Sequence, residues 1–448
     1  MTKTALIFAY ECAPYNRPGS TIGAQRPYQM AKYLSKNGWR TIVLTCDFKK
    51  RRSIDDIDQD SIKVLVDQGL SEFDKNGWTI IGLPSLKFNG LIDQLWWKFT
   101  AENPDNGTLK PKTNFFSSIF RKLLTLVKLT LGDHSQSWQP VAKKASIYLQ
   151  NFTPPDIVIA EHGPDAGLFL GKWHHTKFAV PWVVDFRDPV DIGLPQGIRK
   201  VYNFFIKCKL KSSSLLVNVT PYWAKLDKDR FNKDAICVTN GFDIEEFEAL
   251  PSNEPSDYFD VLYPGNVHEK QDIELFIEAF AHCINIEKLK KLRFVYCGGQ
   301  YEYIEALLQK YVVKSNFKIH KPLSRQEALI LMKKAALLLV MGVVSKEKSN
   351  LLLTHGLYPG KVFEYFGVKR PIILAPSDRG ILEELIVKTR SGMICNSVSD
   401  VVRAIKSSYL NWERGMEVYK LDSNLTEEYS RANQMGLLSA KLFEILNK

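Results

Sequence analysis

A chain of 448 residues is longer than one hydrophobic core fills, so two domains of roughly 200 residues each are expected. Its 45% apolar and 24% charged residues exclude a disordered or fibrous chain, and the longest apolar run, "AALLLVMGVV" (335–344), is about half the ~20 residues a bilayer crossing needs. The net charge of +11 is uneven, with 29 basic against 19 acidic side chains over residues 1–220 and 31 against 30 over 221–448, so the first half is expected to face something anionic: a membrane surface, a nucleic acid or a phosphorylated substrate.

The amino-terminal "TALIFAY" reads as a buried strand and not as a signal peptide, because Glu11 interrupts a short apolar run. "GAQRPYQMAKYLSKNG" follows with helical spacing and ends at Gly38; "TIVLTC" is again strand-like, completing a β-α-β unit. Further strands are predicted at "DIVIA" (156–160), "PWVVDF" (181–186) and "LLVNVT" (215–220), which implies a parallel, doubly wound sheet. "ALPSNEPSDY" (249–258) reads as an interdomain linker. A second α/β series then runs through "DVLYPG" (260–265), a helix over 272–285, "LRFVYCGG" (292–299), a helix over 301–311 and "FKIH" (317–320). It continues through "RQEALILMKKA" (325–335), "LLLVMG" (337–342), "LYPGKVFEYFGVKRPIILA" (357–375), a helix near 399–410 and a last amphipathic helix over about 427–446. Seven cysteines without a C-x-x-C pair fit free thiols in a reducing, cytoplasmic setting.

Two basic, aromatic-bearing stretches stand out in the first half. "FFSSIFRKLLTLVKLTLG" (115–132) lies in an insertion over 86–138, and "IRKVYNFFIKCKLK" (198–211) carries five cations and no acid. Each reads either as a core-facing helix or as one lying on an anionic membrane surface. Aromatic interleaving of the kind that stacks bases is not evident, so nucleic acid is not an expected partner.

Residues suited to chemistry gather after the predicted strands. The loop with Gly19 and Gly23 opens a helix, where backbone N–H groups can receive a phosphate or a sugar. It carries neither the dinucleotide fingerprint nor a Walker lysine. Glu161 and His162 end one parallel strand and Asp185, Arg187 and Asp188 the next, at the sheet edge where ligands bind in open α/β folds. There His162 can bond a sugar hydroxyl or serve as a cap, and the Asp–Arg group can be an internal pair shaping its loop. In the second half, "LYPGNVHEK" offers Gly265, Asn266, His268 and Lys270 to a diphosphate, and "YCGG" brings Gly298 to a strand end, suited to close approach of a flat base. Pro359 and Gly360 suit a helix start that favours an anion. Lys361 and Glu364, three apart, form either a plain salt bridge or a clamp in which the cation meets phosphate and the carboxylate meets ribose. "DIDQD" (56–60) reads as a solvated charge cluster, and no metal or nucleophile motif is present.

Taken together, "PDIVIAEHGP", "VVDFRDP", "VTNGFDIEEF" (238–247), "LYPGNVHEK" and "GKVFEYFGVKRPIIL" resemble family 4 retaining glycosyltransferases of the bacterial polysaccharide-assembly type. That resemblance implies the α/β GT-B fold: two facing, doubly wound Rossmann-like domains. They are expected at 1–248 for the acceptor, Arg26 included on that side, and at 259–425 for the nucleotide-sugar. The carboxyl-terminal helix, 426–448, is expected to return to the first. It further implies transfer of a sugar from a nucleotide donor to a glycan or lipid-linked acceptor, with retained anomeric configuration and neither metal nor cofactor. Glu364 would hold the ribose hydroxyls, Lys270 the diphosphate, and His162 the region of the transferred sugar. Two departures favour the alternatives of a non-catalytic scaffold or an epimerase of the same fold: Asn266 replaces the usual phosphate-binding arginine, and Gly356 the partner glutamate of Glu364.

Overall fold

The computed structural model describes residues 2–17, 22–52, 58–86, 134–191, 194, 196–251, 256–267, 271–312, 314–343 and 356–447. Gly19, His268, Lys270, the segment 115–132 and most of the insertion that holds it lie outside the described residues. The chain forms two compact units: residues 1–219, 223–238 and 435–448 make the first, and 220–222 and 239–434 the second.

The first unit contains β1 (Lys3–Phe8), α1 (Ile22–Lys36), β2 (Trp39–Arg52), α2 (Gln59–Asn76), β3 (Trp78–Leu86) and α3 (Gln139–Phe152). It continues with β4 (Ile157–His162), α4 (Ala166–Phe178), β5 (Trp182–Phe186), α5 (Gln196–Leu210), β6 (Leu215–Asn218), α6 (Pro221–Phe231) and β7 (Ala235–Cys237). The strands pair in parallel in the order β3-β2-β1-β4-β5-β6-β7. Successive side chains of a strand point to opposite faces, and here both faces are covered. Leu6, Phe8, Val158, Ala160 and Val184 enter one core and Ala5, Ile7, Ile157, Ile159 and Val183 the other. That double burial is why these strands are continuous apolar runs.

The second unit follows with α7 (Ile244–Glu248), β8 (Phe259–Pro264), α8 (Ile273–Asn285), β9 (Leu292–Cys297), α9 (Tyr301–Gln309), β10 (Phe317–His320), α10 (Arg325–Lys334) and β11 (Leu337–Val340). Then come α11 (Gly360–Gly367), β12 (Ile372–Leu374), α12 (Ile381–Thr389), β13 (Gly392–Ile394), α13 (Val398–Glu413) and α14 (Ser423–Glu427). Its sheet is parallel in the order β10-β9-β8-β11-β12-β13, and it too is buried on both faces. The last helix, α15 (Arg431–Leu446), belongs to the first unit from Met435 onward, where Met435, Leu438 and Leu442 pack with Ile7, Leu34 and Trp39.

One expectation changes. The boundary falls at Val238–Thr239 and not over 249–258, because Phe242, Phe247 and Leu250 are buried in the second unit's core. "DIDQD" is solvated at Asp58 and Asp60 but leads straight into a helix: Asp58 caps α2, accepting from the Ser61 amide at 2.6 Å, and Asp60 sits in the first turn.

Candidate functional site

In an open parallel sheet the ligand crevice lies at the carboxyl ends of the strands where the strand order reverses. In the second unit that point falls between β8 and β11. Gln271 ties the two loops there, donating to the Met341 carbonyl at 3.1 Å, and its Oε1 lies 3.2 Å from the Tyr263 hydroxyl. Tyr263, next to last in β8, donates to the Asn266 carbonyl at 3.0 Å, holding the turn in which Gly265 adopts φ 109°. The Lys361 ammonium lies over the Tyr263 ring, 3.9 Å from its centroid, and 3.0 Å from where a Gly265 Cβ would stand. Burial lowers this lysine to about 7, against a smaller pull upward from Glu364. A poorly solvated ammonium is thus placed at the switch point.

Helix α11 begins beside it. Pro359 occupies the N-cap and supplies no side-chain acceptor, and a Cβ at Gly360 would meet nothing within 4 Å. Among the described residues nothing crowds the Gly360 Cβ position, and the positive end of the helix dipole lies next to the cation. The other side of α11 explains its aromatics: Val362, Phe363, Tyr365 and Phe366 are buried, and Tyr365 donates to the Leu339 carbonyl at 2.9 Å.

Glu364 stands one turn on, but its partner is not Lys361. Arg325, in the first turn of α10, donates to Glu364 Oε1 at 3.2 Å and also pairs with Glu246 of α7. Burial raises the Glu364 carboxyl, and Arg325 opposes that rise. Arg325 had no signal in the sequence beyond the Ser324–Glu327 capping box that starts its helix. Asn266 braces the neighbouring loops, its Oδ1 accepting from the Gly299 amide at 2.8 Å. Gly298 packs its backbone tightly on the neighbouring turn, since a Cβ there would lie 2.3 Å from the Gly265 carbonyl oxygen.

In the first unit the switch point lies between β1 and β4. His162 ends β4, its Nε2 2.9 Å from Asp165 Oδ1 and its ring edge-on to Phe186. Glu161, beside it, is 1% exposed; burial raises it to about 7 although Arg187 Nε lies 2.9 Å from its Oε1. The Arg187 guanidinium also donates to the Gly163 carbonyl and lies against Gly23, where a Cβ would come within 2.3 Å of it. One cation thus joins the loops after β4 and β5 and lies against the start of α1. Asp188 remains exposed. Asp185 and Arg187 do not pair with each other as one reading of the sequence had it. Asp185 is instead held by Arg26 through two bonds of 2.7 Å, both side chains are buried, and Arg26 donates further to the Val238 carbonyl at 3.1 Å. The Arg26–Asp185 pair ties α1 to β5. Among the described residues no group of three or more His, Cys, Asp or Glu is arranged to hold a metal, and no helix is long and apolar enough to cross a membrane.

Two parallel Rossmann-like units with these sheet orders define the class: the fold is that of the GT-B glycosyltransferases. Among solved structures, the chain is similar to a glycosyltransferase from Rickettsia africae (13% identity, 100% of this chain and 99% of that one, TM-score 0.57). It is also similar to sucrose-phosphate synthase from Thermosynechococcus elongatus (13%, 99% and 99%, TM-score 0.56) and to HepE from Anabaena in complex with UDP (11%, 99% and 100%, TM-score 0.57). No family model and no curated protein sequence matches the chain.

Proposed function

We propose that the protein is a glycosyltransferase that takes a sugar from a nucleotide donor and passes it to a glycan or lipid-linked acceptor in polysaccharide or glycoconjugate assembly. The observation that carries this reading is the cation placed at the second unit's switch point: the Lys361 ammonium on Tyr263, beside Gly265 and the amino terminus of α11. A diphosphate is the ligand such a site suits, and the fold's likeness to HepE, crystallised with UDP and with UDP-glucose, supports a nucleoside diphosphate. Glu364, with Arg325 setting its orientation, then receives the ribose hydroxyls. His162, fixed by Asp165, and the Glu161–Arg187 loop belong to the sugar and acceptor side.

Catalysis on this reading rests on stabilising the departing diphosphate, whose charge grows as the glycosidic bond breaks. Its own oxygen takes the acceptor's proton on the same face, which retains the anomeric configuration without a metal. The test is direct binding of UDP-, GDP- and dTDP-sugars by calorimetry, followed by detection of released nucleotide. Glu364→Ala should weaken nucleotide binding by about 1–3 kcal/mol, the loss expected for hydrogen bonds to a charged group. Unchanged affinity in a folded Glu364→Ala protein would overturn the assignment.

A further inference from the structure

Among the described residues, helix α5 is held to the first unit through one side. Tyr202, Ile206 and Leu210, four apart, are buried in the core. Arg199 donates to the Leu194 carbonyl at 2.9 Å, Asn203 to Asp191 at 3.1 Å, and the Lys209 ammonium lies 4.0 Å from the Phe169 ring centroid. The opposite side is apolar where it meets water. Val201, Phe204 and Phe205 are 50%, 64% and 43% exposed, and with exposed Cys208 they stand three and four apart, forming one ridge. The other exposed large hydrophobics among the described residues stand singly along the chain, which is ordinary; a contiguous ridge is not.

A row of cations runs beside the ridge. Lys200, Lys207 and Lys211 are exposed; the first two stand seven apart on one line of the helix surface, and Lys211 follows directly after its last residue. From Asp191 to Asp227 the sequence holds no intervening Asp or Glu, so no carboxylate of this stretch offsets them. An aromatic ridge flanked by unopposed lysines is complementary to an interface that is apolar below and anionic above. Three large side chains on one helix also fall well short of the ~800 Å² per partner that a stable protein–protein interface takes.

We propose that this face of α5 docks on an anionic lipid bilayer, with Val201, Phe204 and Phe205 entering the headgroup–acyl boundary and Lys200, Lys207 and Lys211 lying on lipid phosphates. The docking requires neither donor nor acceptor, so it stands or falls apart from the proposed sugar transfer.

The test uses the full chain, floated with phosphatidylcholine vesicles that contain phosphatidylglycerol and, separately, with pure phosphatidylcholine. Binding is expected to the first, weakened by salt, and not to the second. The Lys200→Gln, Lys207→Gln, Lys211→Gln protein should lose roughly 100-fold in vesicle affinity, and Phe204→Ser with Phe205→Ser should lose a comparable amount. All five positions are exposed, and an unchanged thermal melt verifies the fold. Cys208 is the one exposed cysteine of the seven, so an environment-sensitive fluorophore placed there reports on the ridge itself. Its emission should shift to the blue on anionic vesicles. Flotation with the fluorophore still in water, flotation undiminished in both variants, equal binding to neutral vesicles, or no binding at all would each overturn the proposal.

Discussion

Lys361 is a cation that the protein solvates poorly, and that sets a pH dependence on whatever anion it meets. Its ordinary value is near 10.4, and burial brings it to about 7 in the free protein. A diphosphate beside it favours the charged form and raises it again. Below pH 7 the ammonium is already present and affinity should be flat; above pH 7 binding must take up a proton, so affinity should fall by up to tenfold per pH unit. A nucleotide-sugar is the right probe, because its diphosphate has no group titrating near neutrality. Calorimetry in buffers of different ionisation enthalpy should find proton uptake at pH 8 and little at pH 6, and Lys361→Met should abolish the difference. A Lys361→Met protein that keeps the wild-type profile would sink the assignment. For folding, the unfolded lysine binds more protons between about 7 and 10, so this group adds stability as pH rises through that window.

At the scale of elements, the donor site depends on two glycines that act in opposite ways. A Cβ at Gly298 would meet the Gly265 carbonyl oxygen at 2.3 Å and the Tyr296 hydroxyl at 2.5 Å. Gly298→Ala must therefore push the β8 turn off β9, at a cost of about 1–3 kcal/mol for overpacking, and shift Gly265 relative to Lys361. Thermal melting should show the loss of stability, and calorimetry a weaker nucleotide. Gly360→Ala has open space and a helical position, so its melting should be unchanged or raised by up to ~1 kcal/mol. A drop in nucleotide affinity there, without loss of stability, marks close approach of a phosphate to the helix start. Equal behaviour of the two variants in both measurements would contradict this division of roles. Such backbone-on-backbone packing is invisible in a sequence, where "YCGG" looks like any glycine-rich turn. The central strands, by contrast, were legible, because burial on both faces makes "ALIF", "IVIA" and "LLLV" unbroken apolar runs. The strands not foreseen, β3, β7 and β13, are all sheet edges. β3 carries Gly82 and Pro84, residues that weaken a strand signal yet are tolerated at an edge, and β7 and β13 are three residues each. The carboxylate of Glu364 stands out in its aromatic helix, but its partner Arg325 lies 39 positions away with nothing to announce the pairing.

For the molecule as a whole, the return of the chain to the first unit makes the last helix a structural part of a domain that begins at residue 1. Met435, Leu438 and Leu442 are buried in the core formed by β1, β2 and α1. Trp39 is 1% exposed; its Nε1 donates to Ser439 Oγ at 2.9 Å, and Phe443 lies on its ring at 4.4 Å between centroids. Truncation after Gln434 removes the three buried side chains, at about 1.5–3 kcal/mol each, and leaves the Trp39 N–H without its acceptor. That loss, about 5 kcal/mol or more, is comparable with the entire stability of many domains. The second unit is a different case. Residues 239–434 hold its six strands and both of its core clusters, and Thr239 at its start donates to Gln434 Oε1 at its end, at 2.8 Å. The truncated chain should therefore lose the calorimetric transition of the first unit while the second still melts cooperatively and still binds nucleotide. Trp39→Phe, which keeps the ring and removes the N–H, should cost only about 1–2 kcal/mol in the first transition. Loss of nucleotide binding on truncation would mean that the second unit is not an autonomous donor domain, and an unchanged first transition would mean that α15 is not part of the first unit's core.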